Sequence, residues 1–145
     1  MSPTRSMSKS KFIPGDYHLI PRRSKAGIGL FTNDDIPKGK CVIEYVGRTI
    51  SKAEEYSSKS KYLFEITKSK TIDGKPSMNK AGYINHSCAP NCEPEIRGGR
   101  VFIFSIKNIK KGDELCYDYG KEYCVDHCLP CRCPAKKHRY TKAKK

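Results

Sequence analysis

The sequence has no run of apolar residues approaching the ~18 needed to cross a bilayer, and hydrophobic residues fill only 37% of its 145 positions. An integral membrane protein is therefore excluded. A modest core in one domain is expected, because a second core would be starved at this length. The opening stretch, residues 1–11, carries no apolar segment of the secretory type, so export is not expected. Without export, the eight cysteines read as a metal site or free thiols rather than a disulfide framework. Acidic residues are scarce, 15 against 29 lysines and arginines, for a formal net charge of +14. No acid falls in residues 1–11, which carry Arg5, Lys9 and Lys11. None falls in residues 136–145, which carry Lys136, Lys137, Arg139, Lys142, Lys144 and Lys145. Setting those nine charges aside leaves +5 for the middle of the chain. Such ends keep a chain soluble, and they also attract nucleic acid nonspecifically through counterion release.

No internal repeat is present. Pro14, Gly15, Pro21, Gly27 and Gly29 punctuate residues 12–30 too often for a helix. Cys41 to Val46, bounded by Gly39 and Gly47, reads as a strand. Ser51 to Ser60 is the best helix, with Ser51 as N-cap and Glu54 three positions on as its capping-box partner. Tyr62–Thr67 and Arg100–Ile106 read as strands, the second after a Gly98-Gly99 turn. Lys110 to Asp113 is a turn leading into Glu114–Tyr119. Many short strands with one or two short helices indicate a mostly β domain.

Three segments carry chemistry. Gly27-Ile28-Gly29 lets backbone approach a ligand closely, although taken alone a plain turn is the better reading. It lacks the third glycine of a dinucleotide fingerprint. Tyr83-Ile84-Asn85-His86-Ser87-Cys88-Ala89-Pro90-Asn91-Cys92 sets Asn, His, Ser and Cys side by side, groups that are costly to bury without partners. In Gly112-Asp113-Glu114-Leu115-Cys116-Tyr117-Asp118-Tyr119-Gly120, an extended backbone would put Tyr117 and Tyr119 on one face. Together with Glu44-Tyr45-Val46-Gly47, these segments resemble, in order and spacing, the motifs of SET-domain protein-lysine methyltransferases across about residues 15–135.

The resemblance implies a β-clip fold of small curved sheets in which the Asn-His and Tyr-Asp-Tyr segments form a pseudoknot-like crossing. It implies S-adenosylmethionine as cofactor, held by Gly27, Ile28, Gly29, Asn85 and His86, with Tyr62 at an aromatic position nearby. It makes Tyr119 the catalytic tyrosine and Tyr45 a wall of the lysine channel. Tyr117 matches the position where the family carries Phe or Tyr, and a tyrosine there favours mono- or dimethylation. The substrate would be a histone or another basic protein. A noncatalytic module binding nucleic acid or chromatin is the alternative.

Cys124, Cys128, Cys131 and Cys133 place four thiols within ten residues, a density that favours zinc. Many relatives complete a C-terminal zinc module with the cysteine of the Asn-His motif, which implies Cys88, Cys131, Cys133 and His138 as ligands. Cys128 could replace His138, or Cys124 and Cys128 could belong to no site. Cys41, Cys92 and Cys116 read as core or loop thiols. The expected organisation is a basic, flexible segment over 1–12 and a SET domain over 13–122. A cysteine-rich segment over 123–139 and a basic tail over 140–145 would follow. Because the chain's field would repel a basic substrate, either Glu93, Glu95, Asp113, Glu114 and Asp118 make the substrate groove locally negative or the basic ends bind DNA or RNA that carries the substrate. Localisation would be nuclear in a eukaryote and cytoplasmic otherwise.

Overall fold

The computed structural model describes residues 11–25, 27–121, 123–124, 133 and 135–139. Ten short strands form three small sheets, and among the described residues no helix is long and apolar enough to cross a membrane. The first sheet opens with a hairpin of β1 (Leu19–Ser24) and β2 (Gly27–Thr32), in register from Leu19 opposite Thr32 to Ser24 opposite Gly27. Punctuation over residues 12–30 hid this hairpin. β1 is an edge strand that exposes Ile20 to Arg23, so it shows no apolar alternation, and Pro21 is tolerated at an edge.

The second sheet is ordered β3 (Cys41–Tyr45), β9 (Arg100–Ser105), β8 (Cys92–Arg97). β9 is buried from Val101 to Ser105 because both of its faces are covered. Val101 and Ile103 enter the main core with Leu30, Ile84 and Leu115. Phe102 and Phe104 turn the other way, onto Cys41 and Phe12. Phe12, at the boundary drawn for the basic N-terminal segment, meets both rings edge-on at 5.4 and 5.5 Å. The β8–β9 turn is made by Gly98 and Gly99, as expected from the sequence, both with positive φ.

The third sheet is ordered β4 (Arg48–Ile50), β6 (Lys70–Asp73), β5 (Leu63–Thr67). Helix α1 (Lys52–Ser57) links β4 to β5, and the expected capping box is present. It stops short of Ser60 because Ser58 is already extended. Behind this sheet, Gly74 sits where a Cβ would run into the Tyr45 ring and the Asn79 amide. Gly74→Ala is expected to cost about 1–3 kcal/mol, read as a lower urea midpoint at unchanged m-value.

A 3₁₀ turn over Lys80–Tyr83 delivers the chain to β7 (Asn85–His86). β10 (Glu114–Tyr117) then inserts between β2 and β7. It runs antiparallel to β2, with Leu115 opposite Leu30, and parallel to β7, with Tyr117 opposite His86. The insertion brings residues 27–32, 85–86 and 114–119 to one place.

Candidate active site

A cleft of about 1440 Å³ opens beside this junction, and Tyr45, Tyr62, Phe64, Tyr117, Tyr119 and Tyr123 all line it. The rings form a continuous wall. Tyr45 lies 5.3 Å from Phe64, Phe64 6.5 Å from Tyr117, Tyr117 5.0 Å from Tyr119, and Tyr119 5.3 Å from Tyr123. Tyr117 and Tyr119 sit together as expected, although strand pairing ends at Tyr117. Burial pushes the phenols of Tyr45 and Tyr117 well above their ordinary range. Both are therefore neutral hydroxyls rather than bases at physiological pH. Two hydroxyl protons of the wall are committed to main chain: Tyr45 donates to the Tyr62 carbonyl at 2.8 Å, and Tyr119 donates to the Ile84 carbonyl. A phenol oxygen that donates its proton still has lone pairs with which to accept a hydrogen bond.

The polar residues around β7 and β10 hold this wall in place. Asn91 acts as a surrogate strand, its Nδ2 donating to the Glu114 carbonyl and its Oδ1 accepting from the Cys116 amide, each at 2.9 Å. Asn85 donates to a Glu114 carboxylate oxygen at 2.9 Å and lies 3.3 Å from the Ile28 carbonyl and from Ser24 Oγ. A Cβ on Gly29 would collide with that carboxylate and crowd the Asn85 amide. Glycine at position 29 thus has a packing reason within the protein itself. Of the expected cofactor residues, Ile28, Tyr62 and Asn85 line the cleft, while Gly27, Gly29 and His86 do not, although each adjoins one that does in sequence.

His86 faces inward. Its Nδ1 accepts the Tyr119 N–H at 3.1 Å, and its ring meets the Tyr119 ring edge-on at 5.5 Å. Burial holds the imidazole below its ordinary pKa, so it is neutral at pH 7. With Nδ1 accepting, the proton sits on Nε2, which is 3.4 Å from Cys88 Sγ. Cys124 Sγ is 3.4 Å from Nδ1.

Cys88, Cys133 and His138 place their ligand atoms within 4.8 Å of one another. Cys133 Sγ lies 3.3 Å from His138 Nδ1, close to the ~3.6 Å edge of a tetrahedron built on ordinary Zn–S and Zn–N bonds. Two thiols and an imidazole at that spacing are a donor set suited to zinc. The other proposed ligands, Cys131 and Cys128, lie outside the described residues. Cys124 instead joins His86 and Asp118 in a second group. Of the remaining described thiols Cys41 and Cys92 are buried and Cys116 is half-buried, and desolvation keeps all three protonated, with Cys41 pushed up to about 11, Cys92 to about 12, and Cys116 raised.

The expected acidic groove is not formed by the residues named for it. Glu95 pairs with Lys11, Asp113 accepts from the Lys110 amide, and Glu114 holds Asn85. Glu93 and Asp118 line a separate hollow that also contains Arg139, which pairs with Asp118 at 2.7 Å. Four of them are spent on local structure, and none of the five lines the tyrosine cleft. Sequence reasoning also missed Phe64 and Tyr123. Phe64 could have been found as the second aromatic of Lys61-Tyr62-Leu63-Phe64, but no pattern marked Tyr123.

Comparisons with known proteins agree with this geometry. The SET domain family model matches residues 27–120. The chain is 38% identical over 129 residues to Histone-lysine N-methyltransferase trr of Drosophila melanogaster, covering 80% of this chain and 5% of that protein. It is 36% identical over 129 residues to the human Histone-lysine N-methyltransferase, H3 lysine-36 specific, with the same coverages of 80% and 5%. The chain thus spans only a small part of these relatives' length. A crystal structure of KRYPTONITE in complex with mCHH DNA, H3(1-15) peptide and SAH superposes with a TM-score of 0.62 at 36% identity, covering 72% of this chain and 23% of that one. A family model spanning 27–120, a crossing strand that joins its motifs, and a tyrosine-walled cleft at the crossing have one reading: the chain belongs to the SET-domain family.

Proposed function

We propose that this chain is a protein-lysine N-methyltransferase that uses S-adenosylmethionine and adds one or two methyl groups to a lysine of a protein substrate. The observation that carries the reading is the wall of tyrosines at the SET-domain crossing, with the Tyr45 and Tyr119 hydroxyl protons already committed to main-chain carbonyls. The cofactor supplies a methyl group on a cationic sulfur that an unprotonated amine can displace.

The chain's residues have to make the amine ready. A lysine ammonium has a pKa of ~10.4 in water and no lone pair to offer. An aromatic wall with buried, uncharged Tyr45 and Tyr117 solvates an ammonium poorly, so it favours the neutral amine. The Tyr119 oxygen, its own proton held by Ile84, accepts an amine N–H and thereby fixes where the nitrogen lone pair points. Alignment and desolvation then do the work without a strong base.

Ile28, Asn85 and Tyr62 are suited to the cofactor, with Gly27, Gly29 and His86 shaping the backbone behind them. Zinc would be held by Cys88, Cys133 and His138, with Cys131 as fourth ligand, and would tie residues 133–138 to the strand that carries Asn85 and His86. Nonspecific nucleic-acid contact through the basic ends is part of the reading, as DNA is present in the KRYPTONITE complex.

The test is transfer of labelled methyl from S-adenosylmethionine to histones, ribosomal proteins and a lysate, with product state read by mass spectrometry. Lysine labelling ending at mono- or dimethyl is expected. Tyr117→Phe is expected to extend the product to trimethyl, because removing the hydroxyl of a residue only 6% exposed opens room in the wall. Absence of both labelling and cofactor uptake would sink the enzyme in favour of a noncatalytic module.

A further inference from the structure

The mouth of the cleft carries a sign that the chemistry above does not use. Lys59, Lys61 and Lys121 line it, and all three are exposed. None of them has an ion-pair partner among the described residues. The cleft's two carboxylates are already engaged: Lys52 Nζ lies 2.9 Å from Glu55 and 2.5 Å from Glu65, and Glu55 also accepts from Thr71. Asp73, just outside the cleft, accepts from Ser60 Oγ at 2.7 Å. Three unpaired ammonium groups therefore face the entrance against two carboxylates that share a cation.

These lysines are not on a loose loop relative to the tyrosines. The Tyr62 carbonyl accepts from Tyr45, the Lys61 carbonyl accepts from Tyr123 at 3.2 Å, and the Tyr62 amide is held by Ser60 Oγ at 3.1 Å. Tyr123 thus spans from the segment carrying Lys121 to the segment carrying Lys59 and Lys61. The cations have fixed addresses around the wall that includes Tyr119.

We propose that this entrance selects a lysine flanked by acidic side chains, Asp or Glu within about three residues on either side, a reach set by strand rise and the Debye length. The inference rests on the methyltransferase reading and narrows its substrate class. It also removes the conflict between a +14 chain and a basic substrate: the field that repels a basic tail steers an acidic one.

The experiment uses three dye-labelled peptides of equal length, each with one lysine, flanked by Glu, by Gln or by Arg. Binding is measured by anisotropy with S-adenosylhomocysteine present, and transfer separately with labelled S-adenosylmethionine. Affinity is expected to fall from Glu to Gln to Arg, by roughly tenfold overall for three partly exposed pairs, with the spread shrinking as salt rises. The triple variant Lys59→Glu, Lys61→Glu, Lys121→Glu should invert the order, and the matching triple Gln variant should flatten it. Both should leave the KM for S-adenosylmethionine unchanged. Tightest binding of the Arg-flanked peptide to the native chain overturns the inference, as does an order that survives charge reversal. So does a rise confined to the cofactor's KM, which would assign the lysines to the cofactor. The expected binding order without any transfer would support the charge selection while counting against the enzyme reading, so the two fail separately.

Discussion

Tyr119→Phe is expected to lower kcat by roughly a hundredfold or more while leaving cofactor affinity close to that of the native chain. The magnitude is that of losing one positioned polar group that aligns a reacting centre. Tyr119 meets the Tyr117, Tyr123 and His86 rings and donates to the Ile84 carbonyl. Phenylalanine keeps the ring contacts and removes only the oxygen, so the fold should lose about 1 kcal/mol, one hydrogen bond. Stopped-flow transfer, equilibrium cofactor binding and urea unfolding on the same preparation separate these effects. A variant that transfers methyl at the native rate would remove Tyr119 from the chemistry.

Cys88→Ser is expected to have the second large effect, on metal content and on transfer together. Cys88 is buried, and its Sγ lies both in the Cys133–His138 group and 3.4 Å from His86 Nε2. Nδ1 of the same imidazole accepts the Tyr119 N–H. Removing the sulfur thus takes away a member of the proposed zinc set and one of the contacts that fix the imidazole behind Tyr119. Zinc affinity should fall by at least about a hundredfold, beyond what loss of a single supporting hydrogen bond costs. Elemental analysis of the native protein should find about one zinc per chain, as a closed structural site requires. Chelation should lower the unfolding temperature, because binding to a site absent from the unfolded chain is folding free energy. A metal-free native preparation that still transfers methyl would refute the arrangement.

Local signals were legible wherever one short segment carried its own physics. Ser51 and Glu54 announced α1, Gly98-Gly99 announced the β8–β9 turn, and the apolar runs of β3 and β9 announced buried strands. What stayed hidden was set by partners distant in sequence. β1 shows no alternation because it is an edge. β7 is two residues long and exists only because β10 pairs with it. β8, Cys92-Glu93-Pro94-Glu95-Ile96-Arg97, carries a proline and charges that local propensity counts against a strand. The same limit governs the site. Motif residues such as Tyr45, Tyr62, Tyr117 and Tyr119 could be named in advance, whereas the charge of the groove could not. Glu95, Asp113, Glu114 and Asp118 spend their carboxylates on Lys11, the Lys110 amide, Asn85 and Arg139, and neither they nor Glu93 line the cleft. Lys59 and Lys61 belong to no motif, and it is the Tyr123 hydrogen bond to the Lys61 carbonyl that ties their segment to the border of the cleft.

The placement of β10 has a kinetic consequence. The strand at the heart of the first sheet is made of residues 114–117, and its neighbours lie at 30–31 and 85–86. Every pairing it makes closes a loop of some thirty residues or more, so the chain has high contact order and belongs with the slow, millisecond-to-second folders. A ribosome that has released residues 1–110 holds a nascent chain with two of its sheets ready to form and the first still missing its middle. The first sheet, and with it the junction beside the tyrosine cleft, therefore completes in one late step. A chain split or circularly permuted between residues 86 and 114 should assemble all-or-none, with no partially active intermediate.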